Sequence, residues 1–362
     1  MTSVISVRNI TKRYGDFLAI DNISLDVENE YFTLLGSSGS GKTTLLRIIA
    51  GLERPDEGEV RINGRLVNDL PPNQRDIGMV FQDFLLFPHR TVAENIIFPL
   101  RMRNVDKGKQ KQLLDWVLEK LRIDNYGHRY PNQLSGGQQQ RTALARGLVS
   151  RPSALLLDEP LANLDLELRK EMETELRRYR DELNIPFIYV THNQEEALVM
   201  SDRIGVMRNG RFEQVGTTTE IYGSPRTPFV AGFVGHANRL VGRLSSIASD
   251  GRSGAFGWNG STIGVTLPPR AKAGETVVSF VKSEKMRIVP ADFKTSNENV
   301  LIGTIRDVVF KGQLVDYFVI AGGGEEVTVT DSSGAPAFAK RDGVKVVWGP
   351  EASSTFLSER ID

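Results

Sequence analysis

Gly36-Ser37-Ser38-Gly39-Ser40-Gly41-Lys42-Thr43 has the residue types and spacing of a loop that holds nucleotide phosphates. Its glycines let the backbone approach an anion with no Cβ in the way. Backbone N–H groups and the first turn of a following helix then point at phosphate oxygens. Lys42 is placed to neutralise the β- and γ-phosphates. Thr43 can offer its hydroxyl to Mg²⁺, and Thr44 can donate to a phosphate oxygen. The simpler reading is a Gly/Ser turn with a solvated lysine. The flanks argue against it: Tyr31–Leu35 reads as a strand and 44–51 as a helix closed by Gly51.

Further residues could complete such a site. Asp158 and Glu159 close the apolar run Ala154-Leu155-Leu156-Leu157, and ligands collect at the carboxyl ends of strands in α/β sheets. Asp158 would hold Mg²⁺ and Glu159 would act as general base toward an attacking water. His192 follows Phe187–Thr191 directly and could sense a γ-phosphate; taken alone it reads equally as a structural histidine. Gln82 ends the strand-like 77–81 run and could touch Mg²⁺ or the water. Tyr14 offers a flat face to a nucleobase, with an exposed turn tyrosine as the alternative. His89, His128 and His236 are too scattered for a metal cluster.

The elements that position these residues alternate. Segments 4–10 and 20–28 read as edge strands, and Asn63-Gly64 as a hairpin turn after the strand 59–62. Residues 107–123, 137–149, 166–183 and 194–201 have helical spacing, while 154–158 and 187–191 read as buried strands. The apolar segments 84–88 and 96–100, each interrupted by proline, read as loops and serve either as core or as a partner surface. This alternation predicts a layered α/β domain with a largely parallel sheet over 1–235, carrying a helical subdomain at about 83–150. Beyond Asn238 the helical period fades. Strand-like runs at 277–281, 302–310, 314–320, 326–330 and 344–348 lie among Gly, Pro and Ser. They predict an all-β domain over 236–362, a small OB-like barrel.

Composition narrows the class. The 362 residues balance 45 Lys+Arg against 45 Asp+Glu, which gives no sign of a nucleic-acid partner. The absence of cysteine excludes disulfides and thiol catalysis and fits a reducing compartment. The N-terminus lacks the apolar core of a signal peptide, and no apolar run is long enough to span a bilayer. Work at a membrane would require another chain to carry this one there.

Taken together, the motifs resemble the ATP-binding subunit of an ABC transporter over about residues 4–235. The resemblance aligns Tyr14 with the base-stacking aromatic, 36–43 with the P-loop and Gln82 with the glutamine loop. It aligns Leu134-Ser135-Gly136-Gly137-Gln138, preceded by Tyr130-Pro131-Asn132-Gln133, with the family signature. Asp158 and Glu159 match the Mg²⁺ ligand and catalytic base. Asn163-Leu164-Asp165 matches the loop that communicates across the dimer, and His192 the switch histidine. The resemblance implies that two copies sandwich two ATP molecules head to tail. Ser135, Gly136, Gly137 and Gln138 of one copy then close on the γ-phosphate held by the other. It implies permease chains and an extracytoplasmic binding protein as partners, a place on the cytoplasmic membrane face, and docking of permease helices near Gln82 and 84–100.

The C-terminal region resembles the β-barrel appended to importer ATPases, closest in look to the polyamine type, with ferric iron, sugars or other small solutes as alternatives. Phe233-Val234-Gly235 with Asn238, and Val346–Glu351, carry that likeness. Three departures stand out. Lys282-Ser283-Glu284 replaces the usual Arg-Pro-Glu, Asn193 stands where aspartate is commoner, and Gly147 lies in a helix where alanine is usual.

Overall fold

A computed structural model describes residues 3–358. It divides into two compact units, Met1–Thr218 and Thr219–Asp362. The first unit contains β1 (Ile5–Tyr14), β2 (Phe17–Val27), β3 (Tyr31–Gly36), α1 (Lys42–Ala50), β4 (Glu57–Ile62), β5 (Arg65–Leu66) and β6 (Ile77–Val80). There follow α2 (Val92–Met102), α3 (Lys107–Lys120), α4 (Gly136–Leu148), β7 (Ala154–Asp158), α5 (Leu166–Leu183), β8 (Phe187–Thr191), α6 (Gln194–Met200), β9 (Arg203–Arg208) and β10 (Arg211–Thr217).

Six strands form the central sheet in the order β10-β9-β3-β8-β7-β6, parallel except for β10. Every residue of β3, β7 and β8 is buried, which explains their unbroken apolar runs. In register, Leu35 pairs with Thr191 and Asp158 with Val190. The glycine loop, the acidic pair and His192 therefore leave one edge of one sheet. A second, antiparallel sheet, β2-β1-β4-β5, shares a core with one face of the first and with α1. On the other side, side chains of α2 to α5 form a separate core with Leu155, Leu157 and Tyr189.

Residues 96–100 are not a loop. They lie inside α2, which runs through Pro99. Thr91 caps this helix reciprocally with Glu94, and Asn95 ties it to the carbonyls of Phe87, Arg90 and Thr91. The Thr-x-x-Glu pattern was visible in the sequence and outweighs the proline. Gly147 lies where α4 approaches β6 closely: a Cβ on Gly78 would stand 2.3 Å from the Gly147 carbonyl oxygen, while a Cβ on Gly147 itself would come no closer than 3.1 Å, to the end of the Leu155 side chain.

The second unit starts before position 235, because α8 (Pro228–Phe233) buries Ala231 against Val278 and Phe280. It opens with α7 (Thr218–Gly223), whose first residue closes the first unit. Its strands are β11 (Ala237–Ile247), β12 (Ser253–Trp258), β13 (Ser261–Thr266), β14 (Thr276–Lys282), β15 (Arg287–Pro290), β16 (Asn299–Phe310), β17 (Val315–Ala321), β18 (Glu326–Asp331), β19 (Gly343–Trp348) and β20 (Ser353–Leu357). They make two five-stranded antiparallel sheets, β13-β12-β11-β14-β20 and β15-β19-β16-β17-β18. Both contribute to one apolar core that includes Leu240, Phe256, Val281, Tyr317, Val329 and Trp348. The all-β expectation for this region holds, and the barrel is built from these two curled sheets.

Candidate nucleotide site

Between β3 and α1 the chain makes the tight loop its glycines allow. Gly39 and Gly41 have φ of 77° and 101°, and Gly41 caps α1. A Cβ on Gly36 would stand 2.4 Å from the Met207 carbonyl oxygen, so only glycine fits there. The Lys42 ammonium is buried and donates to the carbonyls of Gly36 and Ser37, each at 2.9 Å. Burial lowers its pKa, while the nearby Glu159 and Asp158 charges oppose the fall. The side chain is therefore held inside the loop, where a phosphate chain would lie.

Thr43 Oγ1 donates to Asp158 Oδ1 at 3.1 Å. Burial raises the Asp158 pKa, and this hydrogen bond works against the rise. The pair presents two hard oxygens at the loop mouth, the donor type Mg²⁺ prefers. Next to it, Glu159 has a left-handed backbone at φ 45°, uncommon for a residue with a Cβ. Its amide bonds the Val190 carbonyl at 3.1 Å, and its carboxylate Oε2 lies 3.2 Å from His192 Nδ1. The turn thus holds the glutamate against the histidine, with backbone strain of the sort that collects at functional sites.

Lys42, Thr43 and Glu159 border a cleft of about 220 Å³, lined by residues 38–44 together with Tyr14, Phe17 and Ala19. Asp158 and His192 are not part of that lining and join it through Thr43 and Glu159. Tyr14 is half-exposed, with the Lys12 ammonium 5.4 Å from its ring centre. Phe17 was not anticipated. It pairs with Tyr14 across the β1–β2 hairpin, so two aromatic rings flank the cleft. The signal was Gly15-Asp16 between two strand-like runs, which fixes that register.

Residues 20–162 match the ABC transporter family, and residues 280–356 match the TOBE domain. The spermidine/putrescine import ATP-binding protein PotA of Nitrosomonas eutropha is 39% identical over 364 residues, 99% of each chain. Its namesake from Pseudomonas fluorescens is 46% identical over 318 residues, 86% of each. The chain belongs to the ATP-binding subunits of ABC importers. This importer subunit is accordingly an ATPase. Among solved structures, it resembles the dimeric post-hydrolysis state of the ATP-binding cassette MJ0796 bound to ADP and Pi. The TM-score is 0.52 at 32% identity, covering 59% of this chain and 98% of that one.

Two further parts of the importer subunit's expected site also lie apart from the cleft lining. The Ser135–Gln138 segment opens α4 as a reciprocal cap: Ser135 Oγ accepts from the Gln138 amide and Gln138 Oε1 from the Ser135 amide. Ser135 and Gly136 are exposed, and Gly137 lets Leu168 of α5 pack against the helix start. Gln82 is exposed just beyond β6, and its carbonyl accepts from Asn163 Nδ2 at 3.5 Å. The same Asn163 amide reaches Asp83 Oδ1 at 3.1 Å, a link between two loops that the sequence did not reveal.

Beside Gln82 lies a groove of about 400 Å³, lined in part by Met79, Phe81, Leu85, Phe87, Phe98 and Arg146. Arg146 shapes it by donating to the carbonyls of Phe84 and Leu85, each at 2.7 Å, where both residues adopt positive φ. No helix among the described residues is long and apolar enough to cross a membrane.

Proposed function

We propose that this ATPase powers uptake of polyamines of the spermidine/putrescine class through a separate permease, from the cytoplasmic face of the membrane. The observation that carries the reading is near-full-length identity to proteins of that name, β-domain included. In this reading Tyr14 and Phe17 hold the base, Gly36 to Gly41 wrap the phosphates, and Thr44 donates to one of them. Lys42 neutralises the β- and γ-phosphates. Thr43 and Asp158, with Gln82 reaching in, hold Mg²⁺, which when bound neutralises charge on the phosphate oxygens. Glu159 takes the proton of the attacking water, and His192 steadies the glutamate and faces the γ-phosphate.

Catalysis needs a second copy. The exposed N-terminus of α4 offers free N–H groups and a positive dipole end, suited to the γ-phosphate bound by the partner copy. ATP then acts by favouring the closed dimer over the open one, and hydrolysis reverses that preference. The groove beside Gln82 is apolar, and permease helices would fill it, so closure can be transmitted to the membrane. An extracytoplasmic binding protein delivers the solute to that permease.

The test is co-purification of the tagged protein from its native membrane. The reading predicts two multi-span permease chains, and turnover that rises when spermidine-loaded binding protein is added to the complex. Recovery of nucleic acid or ribosomal proteins instead would overturn the transport reading. Stimulation by an iron- or sugar-loaded binding protein alone would overturn the solute.

A further inference from the structure

Glu196, in the first turn of α6, is 5% exposed, and its carboxylate has three side-chain donors. Tyr189 OH and Thr191 Oγ1 both donate to Oε2 at 2.7 Å, and Asn193 Nδ2 donates to Oε1 at 3.2 Å. Thr191 and Asn193 are the two neighbours of His192. They are also tied to one another, since the Asn193 amide donates to Thr191 Oγ1 at 2.9 Å. Asn193 Oδ1 in turn caps α6 through the Glu195 and Glu196 amides. The peptide carrying His192 is therefore gripped on both sides by one buried carboxylate.

That carboxylate also faces Arg169 of α5, which reaches a different loop. Arg169 Nε stands 3.9 Å from Glu196 Oε1, and the same guanidinium donates through Nη2 to the Leu164 carbonyl at 3.0 Å. Leu164 is the centre of Asn163-Leu164-Asp165, and Asn163 continues to Asp83 beside Gln82. A buried charge is retained at a cost unless it is well partnered, so this placement calls for an explanation. Ordinary helix capping does not supply one, because Asn193 already caps α6.

We infer that Glu196 is a positioning residue for ATP hydrolysis, orienting His192 toward Glu159 and coupling that histidine, through Arg169, to the 163–165 loop. It touches neither ATP nor water and acts through its neighbours. Glutamine at 196 keeps the size but turns an N–H group toward a ring of donors, so one contact must break and the His192 turn loosens. A misplacement well under 1 Å at the reacting atoms is enough to slow hydrolysis, by about tenfold here. The inference rests on the role given to His192 above.

The test measures ATP turnover by the full-length protein with Mg²⁺ for wild type, Glu196→Gln, His192→Ala and the double variant. A positioning role predicts that Glu196→Gln lowers kcat about tenfold, leaves the KM for ATP within about twofold and moves Tm little. In the His192→Ala background the same change should cost less than about twofold, because its route is already gone. Equal losses in both backgrounds, or unchanged kcat, would overturn the inference. Full turnover in His192→Ala alone would instead overturn the histidine's role, so the two failures are distinguishable. If Glu196→Gln does not fold, Arg169→Met replaces it, with the same non-additivity expected and additivity again contradicting the proposal.

Discussion

Thr43 Oγ1 donates a hydrogen bond to Asp158 Oδ1 at 3.1 Å, joining the end of the glycine loop to the end of a buried strand. The two residues are far apart in sequence and meet because β3 and β7 both pair with β8 in one parallel sheet.

Lys42 supplies the only side-chain cation placed within the loop itself. Lys42→Ala should weaken ATP binding at least about tenfold, the usual scale for losing a charged hydrogen bond, and should abolish turnover. Titration with a fluorescent ATP analogue checks binding, and phosphate release checks turnover. Near-normal hydrolysis would contradict the phosphate-loop assignment.

Ser135 tests the shared site. Ser135→Arg places a bulky side chain on the exposed start of α4 and removes a cap, at a stability cost of about 1 kcal/mol. One copy should still bind ATP, while the ATP-dependent dimer seen by light scattering and phosphate release should both be lost. Unimpaired turnover would count against a site completed by a second copy.

Gly78 tests the close approach of α4 to β6. An added Cβ would meet backbone, the Gly147 carbonyl oxygen at 2.3 Å, and backbone cannot move aside cheaply. Gly78→Ala should destabilise the protein by about 2 kcal/mol. Gly147→Ala meets nothing closer than the end of the Leu155 side chain, at 3.1 Å, with Val80 and the Met79 carbonyl at ordinary contact distance, and adds helix propensity. It should stay within about 1 kcal/mol of wild type. Urea unfolding measures both, and the reverse order would refute the packing account.

Lys282 carries a pH dependence. It is buried under Tyr222 and donates to the carbonyls of Ala231 and Val234, near the C-terminal end of α8. Burial pulls its ammonium down to about 8, with the Glu284 charge opposing. The unfolded chain keeps that proton to about 10.4, so between these values the unfolded state binds more protons. Stability from this group therefore rises as pH climbs through the window and is lost as pH falls through about 8. Unfolding free energies at about pH 7.5 and about pH 9.5 should show a smaller rise for Lys282→Met than for wild type. Parallel changes would refute it.

Much of this was legible in the sequence, for physical reasons. Strands β3, β7 and β8 are buried on both faces, so they appear as continuous apolar runs bounded by Gly36, Asp158 and Thr191. The phosphate loop was legible because its geometry demands glycine at particular positions. Helix α2 was hidden because Pro99 reads as a break, whereas its stability comes from the Thr91–Glu94 cap and from Asn95. Phe17 was hidden because its place depends on a cross-strand register. The Glu196 network was hidden because its members serve one another through the folded turn, and none has a motif of its own.

The most direct test of the central claim is the Glu159→Gln variant, assayed for nucleotide binding, phosphate release and mass in solution. The account assigns Glu159 to activating the water and not to holding ATP. It predicts normal ATP binding, phosphate release reduced at least about a hundredfold, the scale of a lost general base, and an ATP-bound dimer that persists. Wild-type phosphate release, or an ATP-bound variant that stays monomeric, would contradict it.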